Sequence, residues 1–175
     1  LVAHLPDYAR WAARLAPVLN LRNRMPLLAG LTEKLLGLSA KRSLPEWQMR
    51  HFFNTPPSAA QATASQEEVL AAARGVVLFV DTFNGYLESA NAHAAVKVLQ
   101  AAGYTVHVAT KLKSDGQHLC CGRTYLATGM VDRAREKASE VVQSLLPFAE
   151  KGLSIVGLEP SCLLTLRDEL LAMGL

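Results

Sequence analysis

The residues of this chain best suited to chemistry are its three cysteines and two carboxylates spaced around them. Cys120 and Cys121 are adjacent and precede a glycine, and Cys162 lies further along the chain. Neighbouring thiols rarely bridge to each other, so such a pair usually serves a metal, a cluster or redox chemistry. Asp81 and Glu159 would add oxygen donors. Together the five side chains predict a cofactor- or metal-binding site.

Simpler interpretations of the cysteines remain open. A free cysteine often behaves as a small buried hydrophobe, and for Cys162 taken alone this is the more common outcome. For Cys120 and Cys121 the polar, glycine-bearing loop with Arg123 beside it argues against a core position. Cys162 also falls in the first turn of a predicted helix, where the positive end of the helix dipole favours a thiolate.

The polar residues near the cysteines have their own alternatives. Asp81 alone would more often cap a helix or a turn, and Glu159 would be a solvated loop charge. His118 is a candidate metal ligand or proton acceptor, although an exposed loop histidine is the more common case. His93 and His107 fall in a predicted helix and strand, and we assign them no function.

Strands and helices alternate after residue 65, which places the candidate residues at one edge of a sheet. Short apolar runs predict strands at 76–80, 105–109 and 154–158, and helical periodicity predicts helices at 90–102, 131–146 and 161–173. This order predicts an α/β fold with a parallel βαβαβα, Rossmann-like sheet. Asp81, the 120–122 loop and the 159–162 segment each follow a different strand. We therefore expect their side chains to converge at the carboxyl edge.

The N-terminal part differs from the rest and is predicted to be a helical connector. Helices are expected at 6–21 and 26–38, and a short third helix is expected to begin at Ser43, with Pro45 early in it. An apolar stripe through Trp11, Leu15 and Leu19 predicts packing on the α/β domain or on a second copy of the chain. Residues 54–65, rich in proline and small residues, predict a linker between a connector at 1–53 and a domain at 66–175.

Composition indicates a globular intracellular protein. Half of the 175 residues are apolar, which is enough for a core, and the odd cysteine count without a leader sequence disfavours a disulfide framework. The cytoplasm is the expected compartment, with association at the inner membrane face left open. No apolar run approaches the roughly 20 residues of a membrane-spanning helix, so no membrane span is expected.

The positive charge is concentrated near the N-terminus. Residues 1–53 hold eight Lys and Arg against three Asp and Glu, whereas residues 54–175 hold ten against twelve. This asymmetry predicts affinity of the N-terminal part for an acidic surface. A nucleic-acid partner is not expected, because the basic residues are scattered and no recognition motif accompanies them.

The spacing of the candidate residues resembles the cysteine-rich CCG domain. That domain occurs in heterodisulfide reductases, in iron–sulfur subunits of glycolate and glycerol-3-phosphate oxidation, and in lactate-utilisation proteins. Its motif is a Cys, then about 31 to 38 residues, Cys-Cys-Gly, about 35 to 38 residues, and Cys-x-x-Cys. Here 38 residues separate Asp81 from Cys120 and 36 separate Gly122 from Glu159. Asp81 and Glu159 thus stand where two of the cysteines would be.

Longer strings resemble one subgroup of that family more specifically. They are VDTFN at 80–84, LCCGRT at 119–124 and GLEPSCLLTLRDE at 157–169. The subgroup consists of bacterial fusion enzymes that join an FAD-linked D-2-hydroxyacid dehydrogenase module, a ferredoxin-like module and C-terminal CCG repeats. The resemblance covers residues 54–175, and less specifically the N-terminal connector. It implies that the chain is a fragment of such an oxidoreductase, not expected to be active alone.

The resemblance also implies cofactors, partners and site residues. It implies an iron–sulfur cluster or zinc at the CCG site, with FAD and further 4Fe-4S clusters on other parts of the full-length protein. Partners would be the flavin, ferredoxin-like and second CCG modules, and a homo-oligomer stays open. The implied cofactor-binding set has the metal ligands Cys120, Cys121 and Cys162, the loop glycine Gly122, and the auxiliary carboxylates Asp81 and Glu159.

Two function classes follow. The first is an electron-transfer or structural domain of an FAD- and iron–sulfur-dependent oxidoreductase acting on a D-2-hydroxy acid such as lactate or glycolate. The second is a non-catalytic docking module that has lost its cluster, with zinc as a further option. Replacement of two cysteines by carboxylates favours the second class, and retention of three thiols in frame favours the first.

Overall fold

A run of apolar residues, Gly75–Phe79, forms the central strand β1 of a parallel sheet. The computed structural model describes residues 1–55, 63–111 and 118–175. Within these ranges the sheet has three strands in the order β2-β1-β3, with β2 at Thr105–Val108 and β3 at Ser154–Gly157. Val77 is in register with His107 on one side and Ile155 on the other. The predicted α/β fold with a parallel sheet is confirmed.

Helices surround this sheet and also form the N-terminal segment. In the described residues they are α1 (Leu5–Arg14), α2 (Ala16–Leu19), α3 (Pro26–Leu36), α4 (Gln66–Ala71), α5 (Thr82–Tyr86), α6 (Ser89–Ala101), α7 (Arg123–Leu126), α8 (Val131–Glu150), α9 (Pro160–Arg167) and α10 (Glu169–Ala172). Short 3₁₀ turns lie at Val2–His4 and Asn20–Asn23. The sequence did not predict α4, α5 and α7, because four to six residues are too few to show a helical period.

Two apolar layers cover opposite faces of β1, because successive side chains of a strand alternate between faces. Val76 and Leu78 pack with Val96 of α6 on one face. Val77 and Phe79 pack on the other face with α8 and with Val69 of α4. The sheet is therefore enclosed by α6 on one side and by α8 on the other, and its carboxyl edge is left for the candidate residues.

The two outer strands differ in what lies beside them. The backbone N–H of Ala64 donates to the carbonyl of Val106 at 2.7 Å, and the His107 ring contacts the Ala64 carbonyl at 2.8 Å. The segment at 63–65 thus lies beside β2 and contacts it at Val106 and His107. Among the described residues, no strand pairs with the outer side of β3.

The predicted helix at 6–21 is broken into two helices and a 3₁₀ turn. α1 ends before Leu15 and α2 begins at Ala16. Pro17 explains the break, since it has no N–H to donate to the preceding turn and its ring collides with the carbonyl four residues earlier. Proline is tolerated in a first turn, which is where Pro17 lies in α2.

The third helix expected from Ser43 is wrong. Residues 43–48 have no helical structure, because the residue before Pro45 is biased away from helical angles and nearby asparagines hold the backbone extended. Asn23 accepts from the Leu44 N–H at 2.9 Å and donates to its carbonyl at 2.8 Å. Asn20 makes the same pair of bonds with the backbone of Trp47.

The apolar stripe of the N-terminal segment does not pack on the α/β domain as predicted. Trp11, Leu15 and Leu19 are 62%, 57% and 43% exposed. α1 instead buries an alanine face, with Ala9 and Ala13 packed against Tyr86. Small side chains allow the helix to approach closely, and this outweighs the larger apolar area of the stripe. Burial of the stripe against a second copy of the chain stays a prediction.

Three further expectations concern the linker, the C-terminal helices and membranes. The helix predicted at 161–173 is divided into α9 and α10, and α8 continues through Pro147 to Glu150. Residues 56–62 of the predicted linker lie outside the described residues, and the domain boundary stays a prediction. Within the described ranges, no helix is long and apolar enough to cross a bilayer.

One buried arginine holds the N-terminal segment together. Arg22 is 7% exposed, and its guanidinium donates to Thr32 Oγ1 at 2.9 Å. It also donates to three carbonyls: Arg42 at 3.1 Å, Leu38 at 3.1 Å and Ser39 at 2.8 Å. The last two follow the carboxyl end of α3, where unpaired carbonyls attract a cation.

We expect Arg22→Lys to lower the free energy of unfolding by about 2 kcal/mol, because an ammonium cannot reach four acceptors with the fork of a guanidinium. Urea denaturation followed by circular dichroism measures this. Arg24→Lys is the matched control, since Arg24 is exposed and should change stability by less than about 0.5 kcal/mol. Equal effects of the two substitutions would show that the four hydrogen bonds of the Arg22 guanidinium do not hold the N-terminal segment together.

Candidate functional site

The three cysteines lie together at the carboxyl edge of the sheet. Cys120, Cys121 and Cys162 are 7%, 2% and 5% exposed, and none forms a disulfide. With Asp81 they line one narrow cavity. The expectation that the Cys-Cys pair lies outside the core is wrong. The chain turns inward here, with Leu119 fully buried, so that Cys121 and Cys162 become part of the apolar layer under α8.

Gly122 is required by the way the thiol loop packs on α8. Its φ is +84°, a region that favours glycine, and its N–H donates to Cys120 Sγ at 3.4 Å. A Cβ at this position would lie 2.6 Å from the carbonyl oxygen of Ala134 and 3.0 Å from its Cα. The glycine thus lets the loop backbone approach the helix, which fixes the position of the thiol before it.

The environment of Cys120 and Cys121 keeps these two thiols protonated. The hydrogen bond with Cys121 and then burial raise the pKa of Cys120. For Cys121, the hydrogen bond with Cys120 lowers the pKa, but the interaction with Cys162 and burial outweigh it and raise the pKa to about 12. A thiol must lose its proton before it attacks an electrophile or binds a metal. The pair is therefore unreactive near neutral pH in this arrangement.

Asp81 is a helix cap. Its Oδ1 accepts from the backbone N–H of Phe83 at 2.8 Å and of Asn84 at 3.1 Å, and its Oδ2 accepts from Asn84 Nδ2 at 2.7 Å. Both oxygens are thus engaged by α5. Asp81 lies beside the thiols, but turning its carboxylate toward a metal would remove the cap of α5.

Glu159 has the same role at α9. It accepts from the Ser161 N–H at 3.2 Å and from Ser161 Oγ at 2.7 Å, which caps the helix that carries Cys162. Glu159 is not among the side chains that line the thiol cavity. The sequence predicted both carboxylates at the carboxyl edge. In the structure, each of them accepts hydrogen bonds at the start of a helix and caps it.

The thiol cavity is too small for an iron–sulfur cluster in this arrangement. Its volume is about 10 Å³, close to the space of a single water molecule. Among the described residues, no group of three or more His, Cys, Asp or Glu side chains is placed to coordinate a metal ion. The residues present therefore do not fit a cluster unless the thiols move apart.

One neighbour of the thiols, Thr82, was not predicted from the sequence, and another, His118, was predicted as a candidate. Thr82 is 4% exposed and interacts with the Cys120 thiol; its position directly after Asp81 is the signal that could have identified it. His118 is half-buried, against the expectation of an exposed loop, because its ring packs on Phe53 and its Nδ1 contacts the Tyr86 hydroxyl at 3.2 Å. Burial lowers the pKa of His118 to about 4, so its ring is neutral.

The chain is similar in sequence to parts of two dehydrogenase proteins. One is a subunit of the anaerobic glycerol-3-phosphate dehydrogenase of Escherichia coli K12. The two are 27% identical over 155 residues, which is 88% of this chain and 36% of that protein. The other is D-2-hydroxyglutarate dehydrogenase of the same strain, 28% identical over 184 residues, which covers 99% of this chain and 17% of that protein. No family model and no solved structure matches the chain.

We expect Gly122→Ala to destabilise the protein by about 2 to 4 kcal/mol, from backbone strain at positive φ together with the contact with Ala134. Gly129→Ala is the control, because Gly129 has a φ of +80° but no atom within 4 Å of its would-be Cβ. It should lose only about 1 kcal/mol, the strain alone. Equal losses in thermal or urea denaturation would show that the close packing on α8 does not matter.

The buried thiols should react slowly with an alkylating reagent. A thiol with a pKa of about 12 carries on the order of 10³-fold less thiolate at pH 8 than an ordinary cysteine. We expect the three native cysteines to be labelled at least about 100-fold more slowly than after unfolding, and Cys121 to react faster as pH rises toward 12. Ala101→Cys, at an exposed position, supplies a fast internal standard in mass spectrometry. Rapid labelling of Cys121 at pH 7 would show that its thiol is neither buried nor held protonated.

Proposed function

We propose that the chain is a CCG-type α/β module of a larger FAD- and iron–sulfur-dependent dehydrogenase, and that it serves as a structural and docking domain. The similarity to parts of two named dehydrogenase proteins supports an oxidoreductase-associated role. The chain spans about a third of the first relative and about a sixth of the second. Flavin, ferredoxin-like and second CCG modules would therefore lie elsewhere in a longer protein.

The observation that carries this proposal is the role of the two carboxylates. Asp81 and Glu159 occupy the positions at which the motif has cysteines, and each caps a helix. A cap stabilises a helix by about 1 kcal/mol, so these positions contribute to folding without binding a cluster. The three remaining thiols are packed as core side chains. A module of this kind keeps the residue spacing of a cluster-binding domain, but the residues at these positions stabilise the fold instead of binding a cluster.

The substrate of the whole protein would be a D-2-hydroxy acid such as lactate or glycolate. The names of the relatives point to small hydroxylated anions, glycerol-3-phosphate and D-2-hydroxyglutarate. Chemistry on such a substrate needs a hydride acceptor, which FAD on another module would supply. This chain would act in the cytoplasm, with association at the inner face of a membrane through its partners.

Docking on neighbouring modules would use the exposed face of α3. Leu27, Leu31 and Leu35 are 85%, 50% and 72% exposed, and their spacing of four residues places them on one side of the helix. Contiguous exposed apolar side chains are typical of interaction surfaces. Both relatives extend well beyond the matched part, so further modules are available to cover this face.

Electron transfer is the second candidate function. It is favoured by the contact among three cysteine thiols, since thiolates are the main ligands of iron–sulfur clusters and are also ligands of zinc. Loading would require loss of the thiol protons and an opening of the site. It would also require further ligands, because Asp81 and Glu159 are engaged as caps.

Reconstitution with ferrous iron and sulfide under anaerobic conditions separates the two functions. For the wild-type protein we expect less than about 0.5 iron per chain after desalting, because Cys120 and Cys121 are protonated and the donor set is incomplete. Asp81→Cys/Glu159→Cys restores the cysteines of the motif and should retain several irons with matching sulfide. Iron, sulfide and visible absorption are measured for both.

The controls separate cluster binding from loss of structure. Asp81→Asn/Glu159→Gln removes the same two charges and should bind no more iron than wild type. Stoichiometric iron and sulfide in the wild-type protein, about four of each, would overturn the structural role and favour electron transfer. Failure of the double-cysteine variant to bind iron while folded would contradict the assignment of Asp81 and Glu159 to the cysteine positions.

A further inference from the structure

A second, larger cavity lies between α1 and the carboxyl edge of the sheet. Its volume is about 560 Å³, within the range of sites that hold metabolite-sized ligands. It shares Pro6 and Cys120 with the lining of the thiol cavity and is otherwise separate from it. Among the described residues, its lining comes from α1, the turn at 51–54, α8, Tyr86, Lys111 and His118.

Positive charge dominates the lining. Four lining side chains are cationic, Arg10 and Arg14 of α1, Lys111 after β2 and Lys137 of α8, whereas the only lining carboxylate among the described residues is Asp7. The two arginines are four residues apart and therefore share one face of α1. Cations from three separate elements converge on one concavity, which concentrates a positive potential there.

The charges of the two arginines are not neutralised within the described protein. Neither Arg10 nor Arg14 forms an ion pair with a described carboxylate; the guanidinium of Arg14 stacks on Trp11, 4.7 Å from the ring centre. Asp7, the nearest acid on α1, is shared between His4 at 3.0 Å and Arg133 at 3.9 Å. Within the described residues, the cavity lining therefore has two guanidinium groups without a carboxylate partner.

The inner wall is formed by two lysines and a buried histidine. Lys111 and Lys137 both pair with Glu140, at 2.9 and 3.2 Å, and Lys137 also lies 4.0 Å from Glu136; the lysine side chains are only 23% and 13% exposed. His51 is 5% exposed, and its Nδ1 has no hydrogen-bond partner among the described residues. A buried polar atom without a partner is costly, and a ligand in the cavity can supply the missing partner.

We propose that this cavity binds a small organic dianion, either a phosphate monoester or a dicarboxylate. The two negative charges of the ligand, carried by one phosphate group or by two carboxylates, would be compensated by these cations, and a guanidinium binds carboxylate or phosphate oxygens with two parallel hydrogen bonds. Trp11 and Phe53 give the carbon skeleton an apolar contact. The proposal does not depend on cluster binding at the thiols or on the docking face of α3, although Cys120 lines both cavities.

The test is titration of the full chain with inorganic phosphate and with succinate, followed by ¹⁵N chemical shifts at constant ionic strength. We expect saturable shifts at amides around Arg10, His51 and Lys137. Arg10→Gln/Arg14→Gln should weaken binding at least about tenfold, because each arginine contributes charge-assisted hydrogen bonds. Arg24→Gln/Arg42→Gln removes the same charge from exposed positions outside the cavity and should weaken binding less than about twofold.

Each outcome of the titration either supports or overturns the site. Binding of both probes supports the dianion class, and binding of one alone supports the proposal and identifies the ligand as a phosphate or as a dicarboxylate. Acetate, with one charge, should bind at least about tenfold more weakly than succinate. The absence of saturable shifts up to about 20 mM, shifts that map elsewhere, or equal losses in the two double variants would overturn the proposal.

Discussion

The structure depends on burial of β1 on both faces and on both edges. Neither face of such a strand leaves a side chain in water, and neither edge leaves a backbone group in water. The strand must therefore be apolar at every residue. Its two partners are parallel to it, so each must be reached through a crossover that lies on a face of the sheet. The two helix layers and the single carboxyl edge follow from this one requirement. The thiol loop and the helix caps can meet only because that edge is shared.

Much of this arrangement could be predicted from the sequence, and the exceptions have identifiable physical causes. The strands and the long helices were predictable because their apolar periods are local properties. The face of α1 that packs on the domain was not predictable. The helix has an alanine face and a face of larger apolar side chains, and only the close approach allowed by Ala9 and Ala13 selects between them. The extended path at residues 43–48 depends on bonds from Asn20 and Asn23, which lie more than 20 residues earlier.

The candidate site shows the same division between local and tertiary information. The sequence located the cysteines and carboxylates at one edge, and it also provided the capping interpretation of Asp81, which the hydrogen bonds support. It could not establish that Cys121 is a core residue, because burial depends on how the loop after β2 packs under α8. Nor could it reveal the larger cavity, whose cations come from α1, α8 and the end of β2.

The contact of the segment at 63–65 with β2 bears on self-association. Within the described residues, this segment makes one backbone hydrogen bond with the outer side of β2, whereas no strand pairs with the outer side of β3, so β3 is the less covered edge for strand addition between copies of this chain. Two sheets that join through identical edges must be related by a two-fold axis, and the joined pair has no further β3 edge to offer. Association through β3 alone would close at two copies, whereas association that also used the outer side of β2 could continue from copy to copy.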